Sequence, residues 1–460
     1  MARHRRGRHR PVRTVLLAAL STLALLALGT AGTRSAWTAA QVTNASDDAL
    51  VSQMALTHSY NSTTCATTAR STTATCPSTL GTVASPTTTR TDAITNNGTV
   101  AVTQSVTGAS CAPVRFANGT SASDPMLPRN SVGFQQADTW GSTSAASFSG
   151  SGYATDLYGT TSVGFLGLLP TNFSMGVWFR TADSLGGGLL SLSASLSNGA
   201  GGANPMLWID QSGNVKAYVA TTLGTQIASS GTNYADGNWH FAVVVVSTVF
   251  LLTSVTLYVD GASKASAGGL TIASATSGYW HLGWANFGLI TPPTSAYFHG
   301  SLSGAFVIQS AISGANVTTL NGSASAAAYQ ASLGGMSPAS TWMLGDNGYT
   351  TIAGTSLPAG NLYDPCSKVN VALAFTNPAA SIAAQSLTSF ANGSATTIAA
   401  PAVGGTQSLT ITTSAGTGYN ADLAGLHLYV PISFGYAVSG APAWVQTLSW
   451  ANDPTEVFWS

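Results

Sequence analysis

Apolar and polar residues alternate in steps of two along much of this chain, the repeat of a half-buried strand rather than a helix. Phe173 to Arg180 (FSMGVWFR) sets Phe173, Met175, Val177 and Phe179 on one face. Met206 to Asp210 (MLWID) and Val215 to Val219 (VKAYV) read as strands flanking a turn at Gln211 to Asn214. Ala146 to Ala154 (ASFSGSGYA) reads as a strand with a tight glycine turn, and Ala93 to Thr107 (AITNNGTVAVTQSVT) as a hairpin turning at Asn97-Gly98. Gly237 to Val246, Val255 to Gly261, Gly278 to Trp284 and Tyr297 to Ile308 continue the series. Further strands are predicted at Lys368 to Phe375, Thr406 to Thr413 and Leu426 to Val438. Strands at this spacing, with turn residues between, predict all-β sandwiches. No helix of more than about three turns is indicated.

One apolar run needs separate treatment. Phe241 to Val259 (FAVVVVSTVFLLTSVTLYV) is 19 residues without a charge, near the length of a membrane span. Its β-branched residues, its Ser/Thr interruptions and the Asp260-Gly261 that follows predict two buried strands joined by a short turn instead.

Composition agrees with the pattern. Only 7% of the 460 residues are charged and 49 are glycine, so the formers of long helices are scarce and turn residues abundant. Arg3, Arg5, Arg6, Arg8, Arg10 and Arg13 precede the apolar stretch Val15 to Ala31, and small residues follow, so residues 1–40 are read as an export signal. Its loss removes six of 15 basic residues, or seven with Arg34, against 15 acidic ones, leaving a net charge of −6 or −7. No basic patch remains, which argues against nucleic acid or an anionic membrane surface as partner. Four cysteines without a CxxC pair fit two disulfides in an oxidising compartment. Proximity favours Cys65 with Cys76, which leaves Cys111 with Cys366.

The organisation read from these signals is a signal peptide (1–40), a β-rich segment (41–135), a two-sheet sandwich domain (136–335) and a second β-rich segment (340–460). Cys111 and Cys366 bracket the middle part closely, so the two flanking segments are expected to form one sandwich with the central one inserted.

The order ASFSGSGYA, FSMGVWFR, DGNWHFAVVV, VTLYVDG and FHGSLSGAFVI resembles the laminin G-like, concanavalin A-like jelly-roll modules of bacterial, actinobacterial-type surface proteins. The resemblance covers about 185 residues, with DGNWHFAVVV followed by LYVDG its most specific part. It implies that Trp239 and His240 pack rather than react. It also implies calcium as a possible cofactor at the sandwich rim, where hard oxygen ligands suit it. Asp156, Asp183 and Asn286 are placed for that by loop position only. Separately, the signal followed by Ser35 to Ala49 resembles the signal region of camelysin-type biofilm-matrix proteins.

Candidate chemistry is sparse. Glycosidases need two carboxylates about the scissile bond, yet Glu456 is the one glutamate, and Asp210, Asp236, Asp260 and Asp346 sit beside glycine or turn residues. His240, His281 and His299 fall within strands, next to aromatic residues, and neither GxSxG nor HExxH occurs. Among the 11 tryptophans and 14 tyrosines, Tyr279, Trp280 and Trp284 form the cluster that could stack against a sugar. The expectation is a non-catalytic protein, secreted or at the cell surface, that binds an extracellular glycan or protein. The alternative is a self-associating matrix or fibre subunit. No membrane span beyond the signal is expected.

Overall fold

The computed structural model describes residues 55–60, 63–66, 73–74, 87–108, 111–116, 126–156, 172–195, 202–270, 278–288, 290–345, 365–419, 424–439 and 447–458, with two short strands at 43–44 and 47–48. Residues 1–40, most of Ser35 to Ala49, Cys76 and Asp346 fall outside these residues, and so does any pairing of Cys65 with Cys76.

The central strands are, in chain order, β1 (Met126–Arg129), β2 (Val132–Gln136), β3 (Ala145–Ser149), β4 (Tyr153–Asp156), β5 (Phe173–Arg180), β6 (Gly187–Ser193), β7 (Met206–Ile209) and β8 (Asn214–Thr221). They continue with β9 (Gly224–Asn233), β10 (Trp239–Val249), β11 (Leu252–Val259), β12 (Ala262–Leu270), β13 (Tyr279–Leu282), β14 (His299–Ile308) and β15 (Ser340–Trp342). One sheet runs β9-β8-β7-β6-β13-β4-β1, and the other β2-β3-β14-β5-β10-β11-β12 with β15 paired to β14. The pairs are antiparallel throughout.

Alternation explains how the two sheets close. Phe173, Met175, Val177 and Phe179 of β5 face Leu190, Leu192, Leu207 and Ile209 across a common core. The opposite face of β5 and β10 is also covered. Trp178, Phe241, Val243 and Phe306 pack against two short helices, α1 (Gly314–Asn321) and α2 (Ala326–Gly334). Each helix starts at a serine N-cap, Ser313 or Ser325, whose side chain accepts a backbone N–H three residues on. With core on both sides, β10 reads as a continuous apolar run. It turns at Phe250-Leu251 into β11 and pairs with it from Ala242↔Val259 to Val249↔Leu252, the two strands and short turn expected of residues 241–259, although β11 alternates exposed and buried positions instead of being buried throughout.

Two sequence readings need correction. ASFSGSGYA is not one strand with a turn: β3 and β4 belong to opposite sheets, and the Gly150–Gly152 corner carries the chain across. Ala93 to Thr107 is not a hairpin either. The Thr87–Asn96 strand pairs with Thr406–Ala415, whereas Val102–Gly108 pairs with His427–Val438 in another sheet. Buried Asn96 holds this corner, its Nδ2 donating to the Val100 carbonyl and its Oδ1 accepting the Gly98 N–H. Period-two alternation marks a strand's buried face but not its partner.

Those outer strands build a second pair of sheets. One orders Ala380–Ser386, Val369–Thr376, Thr406–Ala415, Thr87–Asn96, Leu56–Tyr60 and Thr63–Ala66. The other orders Thr396–Ile398, Val102–Gly108, His427–Val438, Thr447–Phe458 and Thr73–Ala74, with Ala112–Pro113 on His427–Val438. Both mix strands from before and after the central sandwich, around a core that includes Leu56, Ile94, Val106, Leu373, Leu409 and Phe434. A Cys111–Cys366 disulfide joins their two halves across 255 residues. The central sheets reach from Met126 to Trp342, wider on both sides than the 136–335 read from strand signals. Buried Arg129 donates to the Ala424 carbonyl (2.8 Å) and Asn130 N to the Gly425 carbonyl (2.8 Å), tying the sandwiches at β1.

Candidate functional site

Chain direction gives the central sandwich two ends of different character. β5 finishes at Arg180, β9 at Asn233 and β11 at Val259, while β10 starts at Trp239 and β14 at His299. Antiparallel pairing puts all these termini at one end, here the His240 end. Four connections crowd there: Thr181–Gly186, Asp210–Gly213, Tyr234–Asn238 and Asp260-Gly261.

The Asp-Gly turn shows how sequence builds this end. Asp260 (φ 53°) and Gly261 (φ 76°) are both left-handed, as a two-residue hairpin of this kind demands, and Asp-Gly is among the pairs that adopt it most readily. Asp260 Oδ1 accepts the Phe241 N–H (2.9 Å), and its Oδ2 meets His240 Nδ1 (2.9 Å). On the other side of the ring, His240 Nε2 meets Asp236 Oδ1 at 3.0 Å. The imidazole also packs against Phe179 and Tyr234, with centroids 5.7 and 4.9 Å away. Both ring nitrogens are therefore used in a clamp between two turns.

The electrostatics follow from this geometry. Burial alone would lower the His240 pKa, but hydrogen bonds to Asp260 and Asp236 outweigh it and hold the ring above its ordinary 6.5. Asp236 is pulled down to about 2, first by the Asn238 backbone N–H and then by His240. A carboxylate held that low stays ionised and cannot serve as a general acid near neutrality.

A second pair stands beside the clamp. His299 Nδ1 lies 2.7 Å from Asp183 Oδ2, with the imidazole largely exposed. Thr181 stitches the two units together. Its Oγ1 donates to the His299 carbonyl (2.7 Å) and accepts the Asp183 N–H (2.9 Å), while its own carbonyl accepts the Gly237 N–H (2.8 Å). Asp210 completes the rim: Oδ1 accepts the Ser212 and Asn214 N–H groups, and Oδ2 pairs with Lys216 at 2.8 Å. Burial opposes ionisation of Asp210, but Lys216 and Asn214 more than offset it and lower its pKa. Arg180 stacks over Trp239, 5.4 Å from the ring centroid. This end thus presents planar hydrogen-bonding groups of both signs on a framework of short turns.

The expected sugar-stacking cluster is not assembled here. Tyr279 and Trp280 are neighbours on β13, so alternation sends them to opposite faces. Trp280 enters the core between the sheets and is 2% exposed; Trp284 is 4% exposed, packed against His281 and Tyr153. Neither offers a free ring face, and half-buried Tyr279 stands apart from them. The loop-placed calcium candidates are also dispersed. Asp156 is buried at the far end of β4, Asp183 is engaged with His299, and Asn286 Oδ1 accepts the Gly288 N–H. Among the described residues, no group of three or more His, Cys, Asp or Glu side chains is arranged to hold a metal.

Asp236, Asp260 and Asp210 form the turns that their glycine and turn-residue neighbours predict. Their second role on His240 and Lys216 depends on registers between strands. The four-residue spacing in DGNWH, set beside the YVDG strand, was the available signal.

Residues 148–318 match the concanavalin A-like lectin/glucanases superfamily in its laminin G form. No curated protein matches the chain in sequence. Among solved structures, a heptameric SAP-like pentraxin from Limulus polyphemus is 12% identical, with 49% of this chain and 82% of that one covered and a TM-score of 0.26. Domains LG4-5 of the mouse laminin α1 chain are 22% identical over 36% of this chain and 45% of theirs, with a TM-score of 0.27. Domain 4 of AbnA, an extracellular arabinanase from Geobacillus stearothermophilus solved with arabinotriose, is 13% identical over 46% and 98%, with a TM-score of 0.32. The central sandwich is a laminin G-like, concanavalin A-like β-sandwich.

Proposed function

We propose that this protein is a secreted or surface-associated, non-catalytic binding protein that recognises an extracellular glycan or protein through the His240 end of its central sandwich. The observation that carries this reading is the convergence of Asp183, Asp236, His240, Asp260 and His299 on adjoining turns, with Asp236, Asp260 and His299 open to solvent. Fixed polar groups on a rigid β framework suit reversible hydrogen bonding to hydroxyl or amide groups at low ordering cost. The Cys111–Cys366 disulfide fits the oxidising, extracellular setting. Among the described residues, no helix is long and apolar enough to cross a membrane.

A matrix subunit would polymerise through sheet edges. One of the edge strands, β12, carries exposed Lys264 and a register shift against β11 at Leu257/Tyr258, both of which blunt edge pairing there. That favours the binder.

The test is a glycan and cell-wall array probed with the parent protein and with His299→Ala and Asp236→Asn. Retention by the parent and a loss of about tenfold or more in either variant, the scale of a hydrogen bond to a charged group, is expected. Equal retention by all three would move the ligand surface elsewhere.

A further inference from the structure

The opposite end of the same sandwich has the reverse character. β10 and β11 stay in register to Val249↔Leu252, leaving Phe250-Leu251 as a two-residue loop. Val249, Phe250, Leu251 and Leu252 are all exposed, Phe250 to 94%. Phe250 has φ 56°, at the first loop position, where glycine is the residue that avoids steric cost. A bulky apolar side chain that is solvent-facing and conformationally disfavoured gains nothing for the folded chain at this site. The neighbouring β8–β9 hairpin presents Leu223, 79% exposed, and connectivity places it at the same end: β9 starts beside Leu223 and runs to the His240 end, where β10 begins. Residues 217–235 and 241–259 contain no charged side chain.

We propose that these two hairpin tips, with Phe250 at the apex, insert into the interfacial region of a lipid bilayer, and that a zwitterionic surface suffices. Two convex apolar tips at one end meet a planar apolar medium together, whereas a protein pocket accommodates one protrusion. The lack of charge at either tip, Lys216 of β8 being held at the opposite end by Asp210, removes any need for anionic lipid. β11 separates the tip from Asp260 by eight residues, roughly 26 Å at strand rise, so insertion leaves the polar end facing away from the membrane. The proposal stands independently of the reading of the His240 end.

The experiment is partitioning onto phosphatidylcholine vesicles, with and without added phosphatidylglycerol. It uses the full chain and the same chain begun at residue 41, each as parent, Phe250→Gly and Leu223→Ser. Phe250→Gly relieves the left-handed residue, so loss of binding cannot be laid to misfolding. Expected is binding to pure phosphatidylcholine by both parents, weakened about tenfold or more by Phe250→Gly, the scale of withdrawing one aromatic side chain from an apolar phase. In a Phe250→Trp variant, emission should shift to the blue and be quenched by brominated lipid. The proposal is overturned if folded parent starting at residue 41 stays in solution, or if Phe250→Gly binds as well as the parent. It is also overturned if binding requires phosphatidylglycerol and disappears with salt, or if Phe250 instead supports a lipid-independent dimer seen by sedimentation.

Discussion

At the residue scale, His240 is where local chemistry and framework meet. Its folded pKa lies above the ordinary 6.5, so its contribution to stability is complete below 6.5 and is lost as pH rises through the raised value. Asp236 works in the other direction: lowered from 3.8 to about 2, it contributes fully above 3.8 and is lost as pH falls toward 2. The clamp is therefore strongest between 3.8 and 6.5. Replacing His240 with Gln should lower stability at about pH 6 by roughly 1 kcal/mol, a modest figure because both carboxylates are partly solvated. The variant should also flatten the decline expected of the parent on raising the pH to about 9. Thermal melts across that range check both outcomes; a parallel decline in parent and variant would show that another group titrates.

At the scale of elements, the β5–β10–β14 contact depends on close approach. A Cβ on Gly176 would lie 2.6 Å from Phe306 Cε1, 2.8 Å from Val243 Cγ2 and 2.9 Å from the Ala242 carbonyl oxygen. Neighbouring backbone on one side and packed rings on the other cannot both give way. Gly176→Ala should therefore cost about 1–3 kcal/mol in urea unfolding. The β10–β11 turn predicts the opposite sign. Phe250→Gly removes a left-handed bulky residue and should leave stability equal or higher by up to about 1 kcal/mol. A clear loss on that substitution would mean that Phe250 packs against its own chain.

At the scale of the whole molecule, the flanking sandwich closes a loop that contains the entire central one. Cys111 and Cys366 are 255 residues apart, so their bond removes denatured-chain entropy worth about 5 kcal/mol by the loop-closure estimate. A Cys111→Ser/Cys366→Ser variant should unfold its outer sheets at lower denaturant than the parent. The central sandwich, whose core is its own, should lose less. Hydrogen exchange read separately on Val369–Thr376 and on β5 distinguishes the two.

Strand positions and inward faces were legible because alternation is local. Phe173 to Phe179, the β7–β8 hairpin, the Asp-Gly turn and the paired strands of residues 241–259 are all written in spacing and turn residues. The Cys111–Cys366 pairing was legible as the pair left once the neighbouring Cys65 and Cys76 are matched. Which strand pairs with which was decided only in three dimensions. The corners at Gly150–Gly152 and Asn96–Gly98 look like hairpin turns, since a turn residue specifies reversal or bending but not the sheet in which the next strand finds its hydrogen bonds. The candidate site divides in the same way. Its turns were legible as Asp and Gly near strand ends, but the meeting of Asp236, His240 and Asp260 depends on the register of β10 against β11. The burial of Trp280 and Trp284 depends on which sheet face is covered, a property of the assembled layers that no local pattern of aromatic residues contains.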